Sequence, residues 1–166
     1  LSSFALDYIA RQKLGGTTLN FFYFEQFPIP APQEFDKPCP WDVKESMQDR
    51  FERRLVELVH TASDTGPLAA AFGDDGPPFH WDPDRRARLR AELDAAVFLL
   101  YGYERDDVDY ILGTFPIVAR HDLDRHGEER TRRLILDAYD GMVAAGETGR
   151  YLSPLSPPPG EGARQA

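Results

Sequence analysis

Five polar side chains near the start of the chain have the chemistry of a nucleic-acid contact. Arg11 and Lys13 supply cations, and Thr17, Thr18 and Asn20 supply small hydrogen-bonding groups close behind them. Cations suit phosphates or guanine edges, and asparagine suits adenine. Gly15 and Gly16 lie between the two groups, so the chain can turn there. The aromatic block that follows (Phe21, Phe22, Tyr23, Phe24 and Phe27) needs cover from water. Pro28, Pro30 and Pro32 then hold the backbone extended. The pattern reads as a cationic turn braced by a hydrophobic anchor. The plainer reading is a turn whose polar groups satisfy only their own backbone.

Other clusters carry weaker chemistry. His121, Asp122, Asp124, His126 and Glu128 invite a metal. As a calcium loop, however, Arg133 would fall where a bidentate glutamate is required. As a zinc site the cluster lacks a second spaced ligand pair. A solvated loop leading to a helix cap is the expectation. Arg85, Arg86, Arg88 and Arg90 point around most of a helix, so they and Arg130, Arg132 and Arg133 read as ion-paired, solvated faces. Trp81 reads as a loop plug on the core, and His60 and His80 have no partner pattern. The single Cys39, between Pro38 and Pro40, reads as an inert loop thiol and fits a reducing, cytoplasmic setting.

The net charge of −9 argues against a stand-alone nucleic-acid binder, because such affinity comes largely from neutralising phosphates. The acidity is uneven. Residues 1–30 balance Arg11 and Lys13 against Asp7 and Glu25, so the whole excess lies beyond them. No apolar run is long enough to span a membrane, and no signal peptide is visible. The sequence opens at Leu1 inside an amphipathic pattern, which reads as a segment of a longer polypeptide.

The expected fold is mainly α: a small helical domain with an irregular or short-strand N-terminal segment and a disordered Pro-rich tail. Residues 1–14 read as a short helix ended by Gly15; residues 17–26 fit either a buried strand or a short helix, with a small strand expected near residues 19–24. Residues 28–40 read as an extended linker. A helix is expected over residues 42–62, with Val43, Met47, Phe51, Leu55, Leu58, Val59 and Ala62 buried. Residues 64–81 read as a loop with one helical turn. Asp82-Pro83 marks the next helix start, with Gly102 as its stop. A short helix over residues 106–114 is broken by Pro116. The last helix, over residues 127–145, buries Leu134, Ile135, Ala138, Tyr139, Met142 and Val143 and ends at Gly146. Three segments result: residues 1–40, the helical domain 41–150, and the tail 151–166.

The run DYIARQKLGGTTLNFFYFEQFPIPAP resembles the segment that closes the target-recognition region of large adenine-specific DNA methyltransferases. These are the type IIG restriction-modification enzymes and related phage-defence methyltransferases. RRARLRAELDAAVFLLYGYERDDVDYILGTFP and GEERTRRLILDAYDGM look similar to their later pieces, so the resemblance spans residues 1–145. It implies a parent that transfers a methyl group from S-adenosylmethionine to adenine N6. It also implies DNA contacts from Arg11, Lys13, Thr17, Thr18 and Asn20, and partners in DNA and in the rest of the parent polypeptide. The family's asparagine-proline-proline-aromatic motif and glycine-rich cofactor turn are absent from this sequence, and PCPW at residues 38–41 is not that motif. The chain itself is therefore expected to be non-catalytic and to bind no cofactor. The alternative is a helical protein-interaction module with no nucleic-acid role. The aromatic block separates the two. A recognition piece that packs on a larger enzyme leaves Phe21–Phe27 under-covered and prone to self-association, whereas an independent module buries it.

Overall fold

The computed structural model describes residues 3–14 and 20–165. It is mainly α, with one two-stranded antiparallel hairpin among the described residues. Two long helices form its axis, α6 (Pro83–Leu100) and α9 (Arg130–Thr148), packed along each other. The sequence states where α6 begins: the Asp82 carboxylate accepts from the Asp84 and Arg85 amides, and Pro83 takes the first helical position. Ala91, Ala95 and Phe98 of α6 then meet Ile135, Ala138 and Met142 of α9 in a common dry core. The helices α7 (Arg105–Gly113) and α8 (Pro116–His126) close over α9. Val108, Ile111, Leu112 and Phe115 are buried there, as their spacing requires.

The helix α1 (Phe4–Lys13) lies on α6 and α7. Its Phe4 ring meets Phe115 edge-on at 4.8 Å, and its Phe4 amide donates to the Asp94 carboxylate of α6 at 2.9 Å. Two helical turns follow, α2 (Phe21–Phe24) and α3 (Pro32–Phe35), and then the strand β1 (Pro38–Cys39). Of the two readings of residues 17–26, the described part takes the helical one in place of a strand, with the Asn20 side chain as its cap. The linker over residues 28–40 is likewise interrupted, with Phe35 packed edge-on against Phe51 at 5.4 Å.

The expected helix over residues 42–62 divides. Its first residues form strand β2 (Asp42–Ser46), paired with β1, and helix α4 is confined to Met47–Val59. The boundary is a capping box: Ser46 Oγ accepts the Asp49 amide at 3.0 Å, and Asp49 reaches back to the Ser46 backbone. The buried face of α4 also differs from the apolar stripe. Leu55 and Val59 are exposed and Val43 is 68% exposed, whereas Arg50, Arg54 and Glu57 are buried in line with Met47. The charges take that face because each has a partner. Arg54 forks onto Glu92 of α6 at 2.5 and 2.7 Å, and Arg50 pairs with Asp42 at 2.8 Å. Glu57 pairs with Arg85.

Three further corrections concern the C-terminal half. Pro116 does not break the chain; it occupies the first position of α8, where a missing N–H costs nothing. The last helix runs past Gly146 to Thr148 and ends at Gly149, whose φ of 69° is left-handed; Val143 faces water. The Pro-rich tail is not loose. Tyr151 donates its amide to Trp41 at 2.8 Å, Leu155 is buried, Gly160 donates to Glu57 of α4, and Arg164 pairs with Phe79. Core residues come from all three segments proposed from the sequence, with Ala5 and Cys39 from the first and Tyr151 from the last.

Glu92 gathers the seam. Its Oε1 accepts from Tyr151 at 3.2 Å and Ser153 at 2.6 Å, while its Oε2 takes Arg54. Replacing Glu92 with Leu strands the Arg54 guanidinium in the interior, so unfolding in urea should show a loss of about 3–5 kcal/mol. A loss below about 1 kcal/mol would mean that Arg54 finds water or another partner.

Candidate nucleic-acid interface

Of the expected cationic turn, Arg11 and Lys13 occupy the last turn of α1. Arg11 reaches back one turn to Asp7, with Nη2 and Nε donating to the carboxylate at 2.8 and 3.2 Å. Its guanidinium carbon sits 4.3 Å above the Phe115 ring centre. Lys13 Nζ donates to the Gln26 carbonyl at 3.2 Å and so ties α1 to the segment after α2. Asn20 is exposed, and its Oδ1 accepts the Tyr23 amide at 3.1 Å as the cap of α2. Lys13 thus links the end of α1 to the residues that follow the turn capped by Asn20. Thr17 and Thr18 lie outside the described residues.

Each of the three side chains has a structural duty and a spare one. Arg11 holds Asp7 with one edge of its guanidinium and keeps the other N–H groups. Lys13 keeps ammonium protons beyond the one given to Gln26. The Asn20 oxygen is used, and its amide N–H₂ has no partner among the described residues. Hydrogen-bond donors therefore face outward here, as phosphate or base-edge contact requires. Beside them the aromatic turn is poorly covered. Phe21 is 74% exposed and Phe22 67%; Tyr23 and Phe24 are half-buried, and Phe27 alone is buried.

The other clusters resolve into structure. His121, Asp122, Asp124 and His126 lie on helix α8, not in a loop, and Asp122 accepts the Thr131 amide near the start of α9. Among the described residues no three acidic, histidine or cysteine groups are placed to hold a metal. Arg130 pairs with Asp84, Arg132 with Asp109 and Glu129, and Arg133 with Glu128 and Asp137. These bonds raise the basicity of Arg132 and Arg133 and lower the Asp109 and Glu128 carboxyls. Trp81 does not plug the core. It is 56% exposed, and the Arg86 guanidinium lies 3.7 Å over its ring while donating to the Leu58 carbonyl. Cys39 is fully buried, and burial pushes its thiol up, as an inert thiol requires.

Sequence reasoning missed two groups. The buried pairs of α4 gave no local signal, since Arg54 and Glu92 are 38 residues apart. The other is Asp94, buried on α6 with the Phe4 amide as its one hydrogen-bond donor among the described residues. Burial pushes its carboxyl up to about 7, against the Phe4 bond and the Arg90 charge. The folded state therefore holds this proton more tightly than the unfolded chain, whose carboxyl stays near 3.8. The stabilisation is complete below that value and is lost as pH rises toward 7. Asp94→Asn keeps the acceptor and removes the titration. Its stability relative to wild type should rise across this window by on the order of a few kcal/mol, measured by urea unfolding at several pH values. A pH-independent difference would refute the assignment.

Comparison with known proteins finds no matching family model, no similar curated protein and no similar solved structure.

Proposed function

We propose that this chain is a non-catalytic, C-terminal part of a DNA adenine-N6 methyltransferase or type IIG restriction enzyme. It completes the target-recognition module and packs on the rest of that enzyme. The reaction of the parent would be methyl transfer from S-adenosylmethionine to adenine N6, carried out by residues outside this chain in a cytoplasmic phage-defence setting. The cationic turn contributes DNA contacts through Arg11, Lys13 and Asn20, with Thr17 and Thr18 between them in sequence. The helical body is scaffold.

The observation that carries this reading is the open aromatic turn. Phe21 and Phe22 stand in water directly after Asn20, and Arg11, Lys13 and Asn20 are exposed. Exposed rings of that size mark a surface meant for cover. A self-sufficient interaction module would bury them, so the exposure weighs against the alternative. The ordered series of resembling stretches over residues 1–145 supplies the family. Helical packing of α6, α7 and α9 accounts for the apolar spacing in the later stretches without any site among them.

The test uses the full polypeptide encoded by the gene. Arg11→Ala, Lys13→Ala and Asn20→Asp are combined; aspartate keeps the helix cap and removes the amide donor. Affinity for target duplex should fall roughly tenfold or more, with altered methylation of adenine sites. Unchanged affinity and unchanged target choice would remove the turn from recognition. The present chain alone, with its net charge of −9, should bind duplex poorly at physiological salt.

A second outcome concerns the rings. In sedimentation the isolated chain should gain apparent mass with concentration, and Phe21→Ser with Phe22→Ser should hold it at monomer mass. Identical behaviour of the two would leave the aromatic turn without a docking role.

A further inference from the structure

The segment after Pro159 is seated like a bound peptide. Arg164 and Phe79 form an antiparallel bridge. The His80 amide donates to the Ala163 carbonyl at 2.7 Å, and the Gln165 amide donates to the Pro78 carbonyl at 2.8 Å. The Arg164 guanidinium lies 3.7 Å over the face of Phe79, which is buried. It pairs with Asp74 at 2.9 and 3.0 Å and donates to the Pro77 carbonyl at 2.7 Å. Gln165 Nε2 donates to the Thr61 and Phe79 carbonyls at 3.0 and 3.1 Å. An aromatic floor, a carboxylate wall and a carbonyl rim thus surround one guanidinium, the set of contacts that distinguishes arginine from lysine.

The fit is close on both sides. A Cβ on Gly76 would lie 2.7 Å from Arg164 Nη1, so a side chain there would expel the guanidinium. A Cβ on Gly162 would collide with the Glu57 carboxylate, and the Gly160 amide donates to that carboxylate at 2.8 Å. The groove continues beyond the guanidinium into an open cavity of about 330 Å³ between α4 and the helix α5 (Gly66–Ala71), lined by Glu52, Arg53, Val56 and Phe72 among others. Asp74 itself is held: burial acts to raise its carboxyl, but Arg164 and the Gly76 amide carry it below the usual range.

We propose that this groove is a recognition site for an extended, arginine-anchored peptide of the form Gly-x-Arg-Gln, and that the chain fills it in cis with residues 160–165. The ligand is added as a strand along residues 78–80. Arginine is read by Phe79, Asp74 and Pro77, and the small residue two places before it is read by Glu57. Residues 160–165 contribute nothing to the main hydrophobic core, so the site can empty without opening that core. The partner in trans is a protein segment with the same pattern.

Two measurements on the full chain test this. In Arg164→Ala, the His80 and Gln165 amides should exchange with solvent roughly tenfold faster than in wild type, while the amides of α6 keep their protection. Equal exchange would show that arginine is not the anchor and would overturn the proposal. In the variant Gly162→Val with Arg164→Ala, the groove is vacated. A fluorescein-labelled peptide of residues 160–165 should then bind at least roughly tenfold more tightly than to wild type, and adding Asp74→Asn should abolish binding. No gain over wild type, or binding that survives Asp74→Asn or an arginine-to-lysine peptide, would also overturn it. These readouts are independent of DNA and of the aromatic turn.

Discussion

The buried ion pair between Arg54 and Glu92 determines how the outer elements attach to the helical core. Burying two charges is costly, and the cost is offset only when every donor and acceptor is matched. Around Glu92 the match is made by groups from distant parts of the chain, while the Arg50 Nε nearby is buried without a hydrogen-bond partner among the described residues. Arg54 comes from α4 and Glu92 from α6, and Tyr151 and Ser153 follow α9. Arg50 extends the seam to Asp42 of the hairpin and lies 5.1 Å from the Tyr151 ring centre. The helical axis of α6 and α9 can form from apolar packing alone. The hairpin, α4 and the tail attach through these polar contacts and through Cys39, Trp41, Met47 and Tyr151, which join the apolar core.

That division explains how much of the fold could be read from the sequence. The α6 boundary was legible because Asp82 and Pro83 act locally, and the α7 face because Val108, Ile111 and Leu112 recur at helical spacing. The buried face of α4 was not legible. Its apolar residues suggested one stripe, but Arg50, Arg54 and Glu57 occupy the interior through partners that no local pattern announces. Likewise the tail has the composition of a disordered segment. Its order comes from particular contacts of Ser153, Gly160 and Arg164 together with the buried Tyr151 and Leu155. Of the candidate site, Arg11, Lys13 and Asn20 were visible by type, whereas their local duties to Asp7, Gln26 and Tyr23 depend on geometry.

Those duties are also the likeness between the two ends of the molecule. At the α1 end, each polar side chain first fixes its own backbone or neighbour and keeps donors in reserve. Arg11 stacked on Phe115 is rigid in the way a contact residue must be, since less side-chain freedom remains to be lost on binding. In the groove of residues 74–80, Arg164 gives Nη1 to Pro77 and Nη2 to Asp74 and is less exposed than Arg11. One arginine is poised outward and the other is already engaged.

The covalent attachment of residues 160–165 has a quantitative consequence for any competitor. A tethered ligand confronts its site at an effective concentration on the order of millimolar, whatever the protein concentration. A free segment of equal intrinsic affinity would have to exceed that level to displace it, so casual arginine-bearing sequences in a crowded cell go unheard. Only a partner that also grips a second surface can win the exchange, which makes the strap a threshold rather than a lock.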